Sequence, residues 1–233
     1  IAVATAAVVA APAAFAGDTT MYGKAHVSVN YTDAGADVWS VNSNASRWGV
    51  KGSEDLGNGL KAVFKYEVGY DVTDGGAFGG ARNSYVGLSG DFGTVLAGRH
   101  DTPAKVAFYG AGNEHLGDSI IALNGAFGFT EVRASNATAY ISPSMSGLTV
   151  AAAMVAGEGA TATATNLNDA YSLGAMYSGN GLKASVGYEV FTSDLAGAND
   201  QTMIQVGASY TMDAFTVGAQ YQNTSDISAN VIP

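Results

Sequence analysis

Apolar and polar residues alternate one by one along this chain in runs of about 9 to 12 residues, and that pattern limits its fold more than any other feature. In the first run Met21, Ala25, Val27, Val29 and Tyr31 share one face, while Lys24, His26, Ser28 and Asn30 share the other. Leu60, Ala62, Phe64, Tyr66 and Val68 alternate in the same way with Lys61, Lys65 and Glu67. The pattern returns with Leu182, Ala184, Val186, Tyr188 and Val190, then with Ile204, Val206, Ala208 and Tyr210, and again with Phe215, Val217, Ala219 and Tyr221. After Thr20 no apolar face at period 3.6 lasts beyond two turns, so nearly the whole chain is expected to be strand. A soluble sandwich and a membrane barrel both alternate like this. Strands in sandwiches commonly span about 5 or 6 residues, however, and a tilted membrane strand spans about 9 to 11. Length therefore favours the barrel, with its apolar face toward lipid and its polar face toward a wet lumen.

The turns set the spacing. Short polar turns lie at Leu56–Leu60, Asp91–Thr94, Ser144–Leu148, Ser178–Leu182 and Met212–Phe215. Their separations are roughly 34, 54, 34 and 34 residues, the period of two long strands, a tight turn and a longer loop. The run from Gly57 to Glu67 is echoed, with changes, from Gly179 to Glu189. The one interval that is longer by about 20 residues places a long loop between Arg99 and Arg133, where function is expected. Strands are expected near 20–32, 46–55, 60–71, 81–90, 93–100, 134–143, 148–157, 169–178, 182–193, 201–212 and 215–224. That count is about eleven, whereas single-chain bacterial barrels use even numbers, so the expectation is a barrel domain over 18–233 that is truncated on its C-terminal side.

Residues 1–17 read as the remnant of a signal peptide. The apolar, Ala-rich run ends in Ala14, Phe15 and Ala16, a small-x-small pattern that places cleavage near Ala16 and implies export. The absence of cysteine excludes disulfides, thiolate metal sites and cysteine nucleophiles. A formal charge of -10 argues against a nucleic-acid partner. His26, His100 and His115 lack the spacing of a metal set, His100 and Asp101 are adjacent rather than arranged as base and orienter, and no G-x-S-x-G occurs. No catalytic, cofactor or metal site is expected.

The basic residues are distributed unevenly. All four Arg, at 47, 82, 99 and 133, and five of the six Lys precede residue 134, around the long loop. Lys24 lies on the polar face of the first strand, and Arg47 shares the face of Lys51 on the next, so both are expected to point into the lumen. The loop supplies Glu114 and Asp118, and folding it inward would oppose acid to base across a water-filled gap.

With these residues in view, the chain resembles the Gram-negative general porins, sixteen-stranded trimeric diffusion channels of the outer membrane. The resemblance rests on Met21–Lys24, Ser46–Leu60, Arg82–Gly93, Gly98–Arg99 and Tyr140–Pro143. It implies an all-β transmembrane antiparallel barrel, with about eleven of sixteen strands present and the long third loop folded into the lumen. It also implies location in the bacterial outer membrane, a homotrimer among outer-membrane lipid, and passive diffusion of ions and small hydrophilic solutes. By the same resemblance the pore constriction consists of Lys24, Arg47, Arg82 and Arg133 on the wall, with Glu114 and Asp118 on the loop. Arg133 shares the parity of Ala137, Ala139 and Ile141, the lipid side, so its inward placement requires a bulge or a position in the loop's return. Two other functions suit an outer-membrane barrel. An adhesin or receptor would have a closed lumen and partner-specific loops, and a barrel enzyme would have a hydroxyl nucleophile near a His and a carboxylate.

Overall fold

A computed structural model describes residues 17–33, 35, 37–76, 78–113, 117–119, 122, 124–125, 128–129, 131–197 and 199–225. The signal-peptide segment 1–16, Glu114 and His115 lie outside the described residues. The alternating runs form strands β1 (Asp18–Lys24), β2 (Val27–Asp33), β3 (Asp37–Ser43), β4 (Arg47–Gly57), β5 (Leu60–Tyr70), β6 (Phe78–Gly90) and β7 (Gly93–Asp101). Helix α1 (Pro103–Gly110) opens the long loop. Strands β8 (Arg133–Ile141), β9 (Leu148–Val155), β10 (Ala170–Gly179) and β11 (Leu182–Phe191) follow, then the single turn α2 (Ser193–Ala196), β12 (Gln201–Met212) and β13 (Phe215–Ser225).

Eleven strands form one sheet in the order β1-β4-β5-β6-β7-β8-β9-β10-β11-β12-β13, each antiparallel to its neighbours. The only step out of sequence, β1 to β4, arises because the hairpin β2–β3 prolongs both strands as a second, two-stranded sheet. The sequence pattern treated 20–32 as unbroken and began the next strand at 46. Instead the ladder is interrupted between Lys24↔Arg47 and Val27↔Ser43, and the second strand reaches back to Asp37. Across the break the Asn44 amide donates to the His26 carbonyl at 2.8 Å and the His26 amide donates to Ser46 Oγ at 3.0 Å. Ala45 has φ 49°, and this added residue reverses the parity of the strand: Trp39 and Val41 face outward on β3, Arg47 inward on β4.

The repeated Asn-Gly turns explain the internal echo. Asn58 and Gly59 have φ 52° and 77°, and Asn180 and Gly181 have 52° and 79°, the paired positive values that a two-residue hairpin matched to strand twist requires. Burial is inverted relative to a soluble protein. Met21, Val29, Trp39, Tyr66, Val86, Val206, Val217 and Tyr221 are exposed on the outer face, whereas Glu67, Ser172, Glu189, Gln205 and Ser209 are buried on the inner one. That inversion is expected of a wall with lipid outside and a polar interior.

Ser172, Glu189, Gln205 and Ser209 are buried because the start of the long loop lies on them. Thr102 caps α1, its Oγ1 accepting from the Lys105 amide at 3.3 Å, and Pro103 occupies the first turn where its missing N–H costs nothing. The helix crosses the inside of the sheet and packs on β10, β11 and β12. The Ala104 amide donates to Ser172 Oγ at 2.9 Å, the Gln205 side-chain amide donates to the Ala104 carbonyl, Ser209 Oγ donates to the Ala111 carbonyl at 2.6 Å, and Asn113 Nδ2 donates to the Ala219 carbonyl at 2.8 Å. Glycine permits this approach: a Cβ on Gly187 would fall 2.9 Å from Ala104 Cα, and one on Gly207 2.6 Å from Ala111 Cβ. The expected inward loop is therefore present, with a helix at its start.

Candidate pore constriction

Where the loop crosses the sheet, a cavity of about 410 Å³ remains, lined by Lys24, Arg47, Arg82, Lys105 and Arg133 together with Asp101 and Asp118. Lys24 ends β1 and Arg47 begins β4, and the two are direct cross-strand partners. Like charges so placed repel. Asp118 of the loop lies 3.5 Å from Lys24 Nζ and 3.7 Å from Arg47 Nη1, and so joins the loop to that corner of the wall.

Two carboxylates of the wall organise the remaining cations. Glu67, on the inner face of β5 and 4% exposed, accepts from Arg82 Nε at 2.8 Å and from the Tyr22 hydroxyl at 2.7 Å. Lys65 Nζ is 3.3 Å from it and Arg47 Nε 3.8 Å. Asp101, at the end of β7, is 2.8 Å from Arg133 Nη2 and 3.3 Å from Lys105 Nζ, and accepts from Asn83 Nδ2 at 2.8 Å. Lys105 also reaches Glu131 at 3.1 Å, where the Tyr109 hydroxyl donates at 2.8 Å. A carboxylate this buried is tolerated only with several charged or donating partners, and each of these has at least three.

Arg133 begins β8 beside an irregularity of its ladder. The pairing of β7 with β8 shifts between Gly98 and His100, where Arg99 opposes both Ser135 and Asn136, and Asn136 has φ 55°. Ala137 and Ala139 are buried whereas Thr138 and Tyr140 between and after them are exposed, so the parity expected to face lipid is the inner one; beyond the bulge Arg133 pairs with Asp101 and donates from Nε to Asn83 Oδ1 at 2.9 Å. Arg99 lies outside the cavity, its guanidinium donating to the Ala81 carbonyl and to Ser135 Oγ. Five of the six residues expected at the constriction, Lys24, Arg47, Arg82, Arg133 and Asp118, thus line one cavity, and the sixth, Glu114, lies outside the described residues.

Sequence reasoning did not single out Glu67, Asp101, Lys105, Tyr109 and Glu131. It expected the acids on the loop, but two of the strongest acceptors lie on the wall among the bases. Glu67 was visible on the polar face beside Lys65; its link to Arg82 depends on the β5–β6 register, which shifts between Tyr66 and Val68. The cavity brings fixed charges of both signs together around one space. It can bias which ions and dipoles cross it by charge and by size.

Residues 2–231 match the Gram-negative porin family profile. A stretch of 106 residues, 41% of this chain, is 42% identical to the major outer membrane protein P.IB of Neisseria gonorrhoeae and covers 30% of that protein. A stretch of 52 residues, 22% of this chain, is 60% identical to the major outer membrane protein P.IA of Neisseria meningitidis serogroup C and covers 13% of it. These matches span less than a third of the length of either curated relative. Among solved structures, the anion-selective porin from Comamonas acidovorans superposes with a TM-score of 0.71 at 26% identity, covering 89% of this chain and 68% of that one.

Proposed function

The chain belongs to the Gram-negative porin family, and from that premise we propose that the protein forms a water-filled channel in the bacterial outer membrane through which ions and small hydrophilic solutes diffuse passively. Its narrowest point is the cavity between Lys24, Arg47, Arg82 and Arg133 on the wall and Asp118 on the loop. The observation that carries the reading is the meeting of these residues, from four strands and the loop, around one space of about 410 Å³. No catalytic step is involved: solutes are selected by size and by the field of fixed charges. Five cations against two acids line the cavity, so anions are favoured over cations. Outer-membrane location accords with the names of the Neisseria relatives, and anion preference with that of the Comamonas porin. The working unit is a homotrimer embedded in outer-membrane lipid.

The test is reconstitution into a planar bilayer. Discrete conductance steps, with a reversal potential of anion-selective sign under a chloride gradient, are expected. Folded protein that inserts without conducting would contradict the reading and favour a closed adhesin or receptor barrel.

A further inference from the structure

From the constriction toward the Asn58–Gly59 turn, the inner wall carries a second concentration of positive charge. Lys51 on β4 and Lys65 on β5 are direct cross-strand partners. Their ammonium groups lie 5.5 and 5.6 Å from the centroid of the Tyr22 ring. Facing like charges destabilise a ladder unless something compensates them. Lys65 is compensated by Glu67, a carboxylate already shared with Arg82 and Arg47. Lys51 has no carboxylate within 4.0 Å among the described residues, and its visible compensation is the Tyr22 ring. Four residues nearer the turn, Lys61 has a residue of opposite charge, Asp55, as its cross-strand partner. Beside Lys51 lies a cavity of about 260 Å³, lined also by Thr20, Ser53 and Tyr85, with Asp18 as its acid.

We propose that this cavity is a second anion station, distinct from the constriction, in which Lys51 and the hydroxyls of Thr20 and Ser53 hold a small inorganic anion such as phosphate while Lys65 adds charge from the neighbouring strand. The station rests on the channel reading and deepens it. A channel conducts well when an ion meets several weak sites in succession rather than one tight one, and a low-dielectric wall focuses the field of an uncompensated ammonium into the lumen. Asp18 opposes the anion and keeps the site weak.

The test compares Lys51→Gln with Lys61→Gln. Both remove one positive charge from the same wall, and only the first removes the station. Inorganic phosphate is titrated into the folded protein in detergent and followed by calorimetry, and chloride conductance is recorded in bilayers at low salt. Lys51→Gln should weaken phosphate binding about threefold, the scale of one partly exposed charge contact, and lower the low-salt conductance. Lys61→Gln should leave phosphate binding unchanged, and Lys51→Arg should retain it. Equal effects of the two Gln variants would mean that net charge alone acts, and would overturn the station while leaving the channel intact. Phosphate binding that depends on Lys51 in a wild-type protein that does not conduct would instead sink the channel reading. Lys51 is exposed on a continuous strand, so loss of folding is not expected, and resistance to heat in detergent checks it.

Discussion

Arg47 and Arg82 stand on either side of Glu67, and together they make most of the positive field at one corner of the cavity. Replacing both with Ala removes two long side chains and two charges, while Glu67 keeps Tyr22 and Lys65 as partners. The double variant is expected to conduct more and to shift its reversal potential toward cations. The shift should be large near ~0.1 M salt and small near ~1 M, because the screening length falls from about 10 Å to about 3 Å. An unchanged reversal potential at low salt would refute the assignment of these two residues. Side-chain parity made Lys24 and Arg47 legible in the sequence, whereas Arg82 came from the family resemblance: it shares the parity of the outward Val86 and Leu88, and the register shift opposite Glu67 turns it inward. Parity also misled on β8, where Ala137 and Ala139 were expected to face lipid but are buried among Val155, Leu96 and Ala153, because alternation does not distinguish a small apolar residue packed inside the wall from one facing lipid. Asp101 and Glu131 were illegible for another reason: their shared partner Lys105 lies on a helix, whose docking is set by tertiary contacts rather than by local spacing.

The element that crosses the inside of the sheet is α1, and its position depends on what the strands beneath it lack. Gly187 and Gly207 present bare backbone where the helix and its exit touch the wall, and Ser172, Gln205 and Ser209 then bind Ala104 and Ala111 from below. The period-2 pattern recorded these positions as small and polar, which suits a wet lumen equally well, so the seat itself could not be read. The long interval between turns did reveal the loop that fills it. In Gly207→Leu the new side chain starts 2.6 Å from Ala111 Cβ, and the loop must lift because the wall is held by its ladder bonds. Overpacking of this kind costs about 1–3 kcal/mol, less than the wall needs to unfold. Single-channel recordings should show a larger and noisier conductance with a heat-resistant fold retained. Wild-type conductance in this variant would mean that the loop accommodates the side chain without moving and that its seat does not set the pore width.

At the scale of the whole molecule, one period-2 pattern serves two solvents. Ile204, Val206 and Tyr221 form an apolar outer surface across β12 and β13, while Gln205 and Ser209 on the same strand hold the loop inside. A shift of one residue in register would exchange these sets, so register and environment fix one another. The two faces should therefore answer the same substitution differently. Val206→Arg puts a guanidinium on the outer face near the middle of a 12-residue strand, where it would meet hydrocarbon, at a cost of about 2–4 kcal/mol near the bilayer centre. Ser53→Arg puts the same group on the inner face of β4 beside Lys51, where water screens it. Insertion yield and heat resistance in detergent should fall for Val206→Arg and stay at wild-type level for Ser53→Arg, whose effect should appear instead as a stronger anion preference. Equal loss of folding in both variants would mean that the inner face is not wet, and the division of the wall between lipid and water would fail with it.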